Sequence, residues 1–380
     1  MEHQHIPRAI QDMIERHLWQ GKGIIIYGAR RVGKTTLARS IMSATKTTVL
    51  YLTCDDPAVR DSLTDATLAS LKRLVGDRRL IVLDEAQRVR NIGVTLKLAI
   101  DMMPDRQFIA TGSSSFELAN RIAEPLTGRV YFFQLHPLAL EEIAADKTPL
   151  DIKQLIDPSL IYGMYPEAII NPTAAESTLR HIVGGQLYRD ALEYQGIKNP
   201  DRVRHLLEAL ALQIGHAVSY NELAGLIGIN IKTVERYIAL LEKAFIIFRL
   251  RPLARNKRTE LRRPRKIFFH DNGIRNALIA NFNPLPLRND IGALWENWLI
   301  GERCKYLHNR DLHPQQYFWR TREGAEIDYI EEVRGQINAY EFKWKAGKRV
   351  SFPRSFKRSY PNAVTAAINP ENVADFLLPK

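Results

Sequence analysis

The sequence lacks the features that mark secreted, disulfide-bonded or membrane-spanning chains. Its 380 residues include only two cysteines, Cys54 and Cys304, and the absence of a second pair excludes a disulfide framework and a cysteine zinc site. No apolar run approaches the roughly 18 residues that cross a bilayer. The N-terminal residues contain no signal-peptide core. We therefore expect a cytoplasmic protein without a membrane partner.

Acidic residues are in the minority. The chain has 54 lysines and arginines against 42 aspartates and glutamates, a net charge of +12, which favours polyanionic partners. The composition, 45% hydrophobic and 25% charged, is that of an ordinary globular protein. At roughly 150 residues per domain, the length predicts two or three domains.

An α/β domain is predicted for residues 1–140. Short apolar runs alternate there with helical stretches, and the runs begin at Gly23, Thr48, Arg79, Gln107 and Val130. This spacing is typical of a parallel sheet with crossover helices. Apolar residues at helical spacing also predict a leading amphipathic helix over residues 6–18.

A phosphate-binding loop follows the first of these runs. Residues 28–35 read Gly-Ala-Arg-Arg-Val-Gly-Lys-Thr, which fits the pattern G-x4-G-K-[ST] between a strand and a helix. In such a loop the backbone N–H groups bind phosphate, Lys34 reaches the β- and γ-phosphates, and the Thr35 hydroxyl binds Mg²⁺. The candidate ATP-binding residues are Gly28, Ala29, Arg30, Arg31, Val32, Gly33, Lys34, Thr35 and Thr36.

A buried strand over residues 80–85 ends in two acids, as a Walker B element does. Asp84 is the candidate to hold Mg²⁺ through water, and Glu85 is the candidate to orient or deprotonate the attacking water. The alternative for Glu85 is a solvated acid at a strand end. The acid pair, together with the strand that begins at Thr48, favours ATPases with an extra strand between the two nucleotide motifs.

Two further groups are candidates for contact with the γ-phosphate. Thr111, Ser113 and Ser114 end the next strand, where their hydroxyls either contact the phosphate or the attacking water, or cap the loop. Arg129, with Arg121 as its competitor, is a candidate arginine finger in its own subunit or in a neighbour's, unless it is an ordinary surface arginine. A finger that acts on a neighbour requires a homo-oligomer, either a ring or a dimer.

The middle of the chain is predicted to be helical. Prolines interrupt residues 141–200, which we interpret as a helical lid or connector. Within residues 201–285, a capping box at Ser219, a turn at Gly228 and a cap at Asn230 predict a helix-turn-helix. An apolar strand follows, which suggests a winged helix.

Two groups of basic residues are candidates for DNA binding. Lys232 and Arg236 lie on the predicted recognition helix, where they read DNA unless the winged helix is a structural lid. Residues 249–266 carry nine basic side chains against the single acid Glu260, and predict a wing that binds phosphates regardless of base sequence. The wing residues that we expect to contact DNA are Lys257, Arg258, Arg262 and Arg263.

A third domain, of α/β type, is predicted for residues 286–380. Two strand-like runs flank Arg334 and Gly335, which together are a turn signal. If these two residues form a hairpin loop, Asp328 lies directly opposite Glu341. Facing carboxylates cost stability unless a cation compensates them.

The same hairpin predicts a metal site. Because strand side chains alternate between faces, Glu341 and Lys343 project from the same face as Asp328. Two carboxylates bind Mg²⁺ or Mn²⁺, and the lysine orients water or stabilises charge on the phosphate. Glu296, on the preceding helix, is a candidate further ligand. The alternatives are a solvated hairpin, in which Lys343 forms surface ion pairs with Asp328 and with the opposing Glu326, and a nuclease-like fold kept for protein interaction.

Several segments together resemble a widespread family of bacterial and archaeal AAA-type ATPases with an uncharacterised C-terminal domain. They are GARRVGKTT, LIVLDEAQRV, ATGSSS, LTGR with HPLALEE, YGMYPEA and KIFFHDNGIRNAL, in this order along nearly the whole chain. The resemblance implies ATP binding, a winged helix in the middle region and a restriction-endonuclease-like fold of the PD-(D/E)xK kind at the C-terminus. The chain departs from that pattern at Ile327, where the pattern has proline.

Three hypotheses for the function follow. The first is an ATP-powered DNA-processing enzyme that binds DNA and cleaves it with a divalent metal. The second is a regulatory or scaffold ATPase whose C-terminal fold is inactive and binds a protein partner. The third is a transcription regulator that reads DNA through its recognition helix.

Overall fold

The structure, a computed structural model, describes residues 6–112, 125–185, 187, 199–254, 264–347 and 350–378. The chain divides into two compact units. The first comprises residues 1–137, 186–196 and 243–245, and the second comprises residues 138–185, 197–242 and 246–380. Within the described ranges, none of the helices combines the length and the apolar composition that crossing a membrane requires.

The first unit is an α/β structure, in which the described residues form five parallel strands. The strands are β1 Gly23–Tyr27, β2 Val49–Thr53, β3 Leu80–Asp84, β4 Gln107–Gly112 and β5 Val130–Gln134. The helices are α1 Gln11–Arg16, α2 Lys34–Ala44, α3 Pro57–Leu63, α4 Leu68–Val75 and α5 Ile92–Met102. The sheet order is β2-β3-β4-β1-β5.

This sheet confirms the predicted strands and their parallel arrangement. Strands β3 and β4 are buried at every position, as strands of a parallel sheet covered on both faces must be. Strand β4 lies between β1 and β3, whereas β2, the strand that begins near Thr48 and that the sequence favours as the extra one, lies at the edge of the sheet. The carboxyl ends of β1, β3 and β4 therefore meet at one edge of the sheet.

The second unit combines helices with a second sheet. Its strands are β6 Ala217–Val218, β7 Ile247–Pro252, β8 Arg265–Phe269, β9 Gln315–Arg320, β10 Glu326–Val333, β11 Gln336–Phe342 and β12 Val364–Ile368. Its first helices are α6 Leu140–Ala144, α7 Pro149–Tyr162, α8 Pro166–Ile170, α9 Ala175–Gly185 and α10 Pro200–Leu212. The remaining helices are α11 Tyr220–Ile227, α12 Ile231–Lys243, α13 Asn272–Leu278, α14 Ile291–His308, α15 Arg354–Ser359 and α16 Val373–Leu377.

The second sheet crosses the domain boundary that the sequence suggests at residue 285. Its order is β12-β11-β10-β9-β7-β8-β6, and β7 pairs in parallel with β9 through Arg251 with Tyr317 and Pro252 with Phe318. An unpaired edge of β7 would expose its backbone N–H and C=O groups. Pairing with β9 covers that edge, so the segments over residues 201–285 and 286–380 share one sheet.

The predicted helix-turn-helix signals are found in the structure. The Ser219 hydroxyl accepts a hydrogen bond from the Glu222 N–H at 3.4 Å and caps α11. Helix α11 ends at Ile227 with Gly228 as its C-cap, and the Asn230 side chain caps α12 by accepting from the Thr233 N–H at 2.8 Å. Strands β6, β8 and β7 then form an antiparallel sheet with β8 in the middle.

The C-terminal hairpin has the predicted register. Tyr329 pairs with Tyr340 and Val333 pairs with Gln336, which leaves the expected two-residue loop between β10 and β11. On its other side, β10 pairs with β9 through a bulge between Ile327 and Ile330. Because of the bulge, Ile327 and Ile330 both reach the same apolar core although they are three residues apart.

The YGMYPEA segment has a packing role. Asp271 caps α13 by accepting from the Ile274 N–H at 3.0 Å, and its second oxygen accepts from the Met164 N–H at 2.6 Å. Gly163 has φ +68°, and a Cβ at this residue would lie 2.1 Å from Asp271 Oδ1. A glycine is therefore required where this segment meets α13.

We predict that Gly163→Ala destabilises the second unit by roughly 2–4 kcal/mol, because it adds both a left-handed backbone penalty and an overlap with a buried carboxylate. Gly184→Ala is the matched control, since a methyl group added at this position of α9 would meet no atom within 4 Å and alanine favours a helix. Chemical denaturation of both variants tests this, and equal stability would contradict it.

Candidate functional site

The loop over residues 28–35 has the form of a phosphate site. Lys34 begins α2, and its Nζ donates to the carbonyl oxygens of Ala29 at 2.7 Å and Gly28 at 3.2 Å. Gly28 has φ +154°, and a Cβ there would lie 2.1 Å from the carbonyl oxygen of Leu135. The loop is thus wrapped around its lysine at a helix N-terminus, where anions are favoured.

Asp84 is the centre of a group of hydroxyls at the carboxyl edge of the sheet. Thr35 Oγ1 donates to its two oxygens at 3.0 and 2.9 Å, Thr111 Oγ1 lies 2.5 Å from Oδ1, and Tyr51 Oη donates to Oδ2 at 2.7 Å. Hydroxyl and carboxylate oxygens are the ligands that Mg²⁺ takes. The Thr35 and Asp84 pair therefore fits the Mg²⁺ of a bound nucleotide.

Hydrogen bonds hold Glu85, the residue after Asp84, in one conformation. Its backbone lies in the left-handed region with φ +55°, and its N–H donates to Thr111 Oγ1 at 3.1 Å. The Gln87 side chain donates to Glu85 Oε2 at 2.5 Å. A non-glycine residue in this conformation costs about 1–3 kcal/mol and is most common at functional sites.

Three contacts of this site were not predicted from the sequence. Tyr51 reads as one more residue of an apolar strand, and Gln87 follows the Walker B acids without a motif of its own. Arg8, in the segment before α1, donates to the carbonyl oxygens of Val32 and His136, each at 2.7 Å. Such contacts depend on which strands and segments become neighbours, which local patterns do not reveal.

The structure corrects the role of Arg129 within its own subunit. Arg129 directly precedes β5 and therefore lies at the amino edge of the sheet, across strands that span about 16 Å, whereas the phosphate loop lies at the carboxyl edge. Its guanidinium pairs with Asp101 at 2.7 Å. An arginine there does not reach the nucleotide of its own chain. Ser113, Ser114 and Arg121 lie outside the described residues.

A second group of charged residues, which we call the carboxylate cluster, lies in the second unit. It consists of Glu296, Glu326, Asp328, Glu341, Lys266 and Lys343. Glu296 lies on α14, Lys266 on β8, and Glu326 and Asp328 on β10. Glu341 lies on β11, and Lys343 directly follows that strand.

Lys343 lies next to both Asp328 and Glu341, and its contact with Asp328 is the ion pair that the solvated-hairpin alternative expects. Its Nζ lies 2.7 Å from Glu341 Oε2 and 3.8 Å from Asp328 Oδ2, and the Phe342 N–H donates to Asp328 at 2.7 Å. Burial and the charge of Asp328 raise the pKa of Glu341, against the opposing hydrogen bond from Lys343. The two carboxylates therefore repel each other in a setting that favours a nearby cation.

Glu296 and Glu326 both pair with Lys266. The sequence predicts a metal ion as the partner of Glu296 and Lys343 as the partner of Glu326. The buried ammonium of Lys266 lies 2.8 Å from Glu296 and also contacts Glu326, so Glu326 pairs with Lys266 rather than with Lys343. Burial lowers the pKa of Lys266, but the two carboxylates outweigh this and raise it. Burial raises the pKa of Glu296 to about 7. Glu296 is thus engaged by a lysine and does not complete a set of metal ligands.

No group of three or more histidine, cysteine, aspartate or glutamate side chains in the described ranges is arranged to hold a metal ion. Asp328 and Glu341 remain as a pair of oxygen ligands. In this structure the Lys343 ammonium lies against both of them.

The proposed DNA contacts are only partly within the described residues. Lys232 and Arg236 are exposed on α12. In the basic run, Arg249 forms an ion pair with Glu242 and Lys266 is buried in the carboxylate cluster, so neither faces a DNA backbone. A count of basic residues in the sequence overestimates the exposed positive charge of this run, because the count assumes that every basic side chain is exposed. The wing residues that lie outside the described ranges are Lys257, Arg258, Arg262 and Arg263.

Comparison with family models divides the chain into three segments. Residues 20–144 match an AAA domain. Residues 153–285 match a domain of unknown function, DUF8612, and residues 291–374 match another, DUF4143. The AAA match coincides with the unit that contains the phosphate loop and Asp84.

Relatives are found in bacteria and archaea. The chain is 30% identical over 360 residues to the uncharacterized proteins Rv2008c of Mycobacterium tuberculosis and Mb2031c of Mycobacterium bovis, which covers 92% of this chain and 75% of each relative. It is 23% identical over 346 residues to the uncharacterized protein MJ1544 of Methanocaldococcus jannaschii, which covers 85% of this chain and 75% of that protein.

A solved structure supports the ATPase fold. The Walker-type ATPase paby2304 of Pyrococcus abyssi aligns with a TM-score of 0.50 at 16% identity, over 73% of this chain and 97% of that protein. At this level of identity the similarity concerns the fold alone. It agrees with the parallel sheet and the nucleotide motifs of the first unit.

We predict that Lys34→Ala and Glu85→Gln separate nucleotide binding from turnover. Loss of the lysine removes a charged phosphate contact and weakens ATP binding by at least about 10- to 100-fold, whereas Glu85→Gln keeps the phosphate and metal ligands and traps ATP unhydrolysed. Lys72→Ala, at an exposed position of α4, is the control. Normal phosphate release by Glu85→Gln would assign water activation to another group.

Proposed function

This chain carries an AAA domain and belongs to the same family as the mycobacterial proteins Rv2008c and Mb2031c, and we propose that it couples ATP hydrolysis to the binding and metal-dependent cleavage of DNA. The first unit supplies the ATPase. In this proposal the second unit supplies a winged helix that contacts DNA and a restriction-endonuclease-like fold that carries the carboxylate cluster.

One observation carries the proposal of cleavage. Asp328, Glu341 and Lys343 come from different positions of a hairpin, and a single ammonium group lies near both carboxylates. The three residues of the Asp-x12-Glu-x-Lys spacing, which we interpret as a phosphodiesterase site, therefore lie close together, and this supports the proposal. Buried carboxylates are costly unless they are compensated, and Glu341 has a raised pKa for this reason.

In this proposal the residues of the carboxylate cluster have different roles in cleavage. A divalent cation, when bound, supplies Lewis acidity toward phosphate and lowers the pKa of a bound water. Asp328 and Glu341 would hold that ion. Lys343 would donate a hydrogen bond to the attacking water or to a phosphate oxygen, and its partial exposure gives it the freedom to turn from the carboxylates to the substrate.

Support for DNA binding comes from the arrangement of the middle segment. Helices α11 and α12 precede the strand pair β7 and β8, with β6 on the outer side of β8, which is the order of a winged helix. Lys232 and Arg236 are exposed on the second helix. The phosphate contacts of the wing would make DNA affinity fall steeply with salt.

We predict that Asp328→Ala and Glu341→Ala each abolish Mg²⁺- or Mn²⁺-dependent cleavage while ATPase activity stays near normal, because the two sites lie in different compact units. The loss should exceed the about 10- to 100-fold that outer-shell partners of metals contribute. Lys343→Ala should keep metal and DNA binding but lose rate. Cleavage of supercoiled, duplex and single-stranded DNA provides the measurement.

The matched control is Glu332→Ala, which removes a carboxylate from the same strand at a position that pairs with Ile337 outside the cluster. It should cleave as the unchanged protein does. If the unchanged protein cleaves no substrate with any divalent metal, the nuclease proposal fails while the ATPase assignment stands.

A second candidate function is favoured by Lys266. This lysine already neutralises Glu296 and Glu326 from a buried position, so part of the cluster needs no metal. In a regulatory or scaffold ATPase, the second unit would bind a protein partner and ATP would control self-association. Arg129 would then serve a neighbouring subunit, which sedimentation with and without ATP tests.

A further inference from the structure

We infer that Tyr51 is a positioning residue of the ATP site, which fixes Asp84 for Mg²⁺ through a hydrogen bond from its hydroxyl. The inference concerns the ATPase alone and does not depend on DNA binding or cleavage. It assigns a role to a strand, β2, that carries none of the nucleotide motifs.

The sheet explains how Tyr51 reaches Asp84. Strand β2 pairs in parallel with β3, and Thr53 is the residue directly opposite Asp84. Tyr51 lies two residues earlier, on the same face as Thr53 because side chains alternate. Its ring extends toward the carboxyl end of the sheet, and Tyr51 Oη lies 2.7 Å from Asp84 Oδ2.

A bound nucleotide and its Mg²⁺ would remove one of the hydrogen bonds of Asp84 and leave the others. Thr35 Oγ1 donates to both carboxylate oxygens, but this hydroxyl is the one that P-loop ATPases use to bind Mg²⁺. When it turns to the metal, Thr111 still holds Oδ1 and Tyr51 still holds Oδ2. Of the three hydroxyls, Tyr51 is therefore the one that keeps Oδ2 in place.

Tyr51 is suited to act as a permanent donor. A tyrosine hydroxyl has an ordinary pKa of about 10 and therefore keeps its proton at physiological pH. The guanidinium of Arg39 lies 5.4 Å from the centre of the tyrosine ring. This contact holds the ring from the side of α2, the helix that begins with the phosphate-binding lysine.

A neutral donor has an advantage over a lysine at this position. A hydroxyl orients the carboxylate but leaves its negative charge available to a cation, whereas an ammonium would compete with Mg²⁺ for the same oxygens. Removing such a contact to a metal-binding carboxylate typically lowers metal affinity by about 10- to 100-fold. The role predicts a specific loss of Mg²⁺ affinity without a loss of phosphate binding.

The experiment uses the full chain and the Tyr51→Phe variant, which keeps the ring. Fluorescent ATP binding is titrated in EDTA and then with Mg²⁺ at fixed nucleotide. We expect unchanged ATP affinity in EDTA and an approximately tenfold higher Mg²⁺ concentration at half saturation. Tyr131→Phe is the matched control, because its hydroxyl bonds Gln20 at 3.0 Å and not the ATP site.

A second pair of variants shows whether Tyr51 acts through Asp84. In an Asp84→Asn background, adding Tyr51→Phe should leave the Mg²⁺ dependence unchanged, since the oxygen that the tyrosine orients no longer carries the charge. An unchanged Mg²⁺ midpoint in the single Tyr51→Phe variant would overturn the inference. Equal weakening of ATP binding in EDTA and in Mg²⁺ would also overturn it, because it would indicate a general disturbance of the loop.

Discussion

Both candidate sites depend on how the fold compensates buried carboxylates. An uncompensated charge in a protein interior is costly, and this chain uses two different solutions. Around Asp84, the compensating groups are the hydroxyls of Thr35, Thr111 and Tyr51. In the carboxylate cluster, they are the ammonium groups of Lys266 and Lys343.

The two solutions have different consequences for a metal ion. Hydroxyl donors leave the charge of Asp84 in place, so the site is prepared for the Mg²⁺ that accompanies a nucleotide. The lysines of the cluster supply positive charge of their own. Lys266 is buried, whereas Lys343 is partly exposed, so in the proposed nuclease site the Asp328 and Glu341 half of the cluster is the one that would exchange its lysine for a metal.

The parts of the structure that the sequence predicted are those governed by local patterns. The phosphate loop and the two acids at the end of β3 follow from short motifs, and the hairpin register follows from the turn at Arg334 and Gly335. The contacts of Tyr51 and Lys266 could not be predicted in this way, because they depend on strand neighbours distant in sequence. The position of Arg129 could have been inferred from sequence, since a residue before a parallel strand lies away from the phosphate loop.

Measuring bound Mn²⁺ by electron paramagnetic resonance on the full chain, with and without ADP, tests most directly whether two separate metal sites exist. We expect one ion per chain without nucleotide, lost in Asp328→Ala, and a further ion with ADP, lost in Asp84→Asn. If Mn²⁺ binds only in the presence of ADP, and Asp328→Ala binds as much as the unchanged protein, the carboxylate cluster is not a metal site.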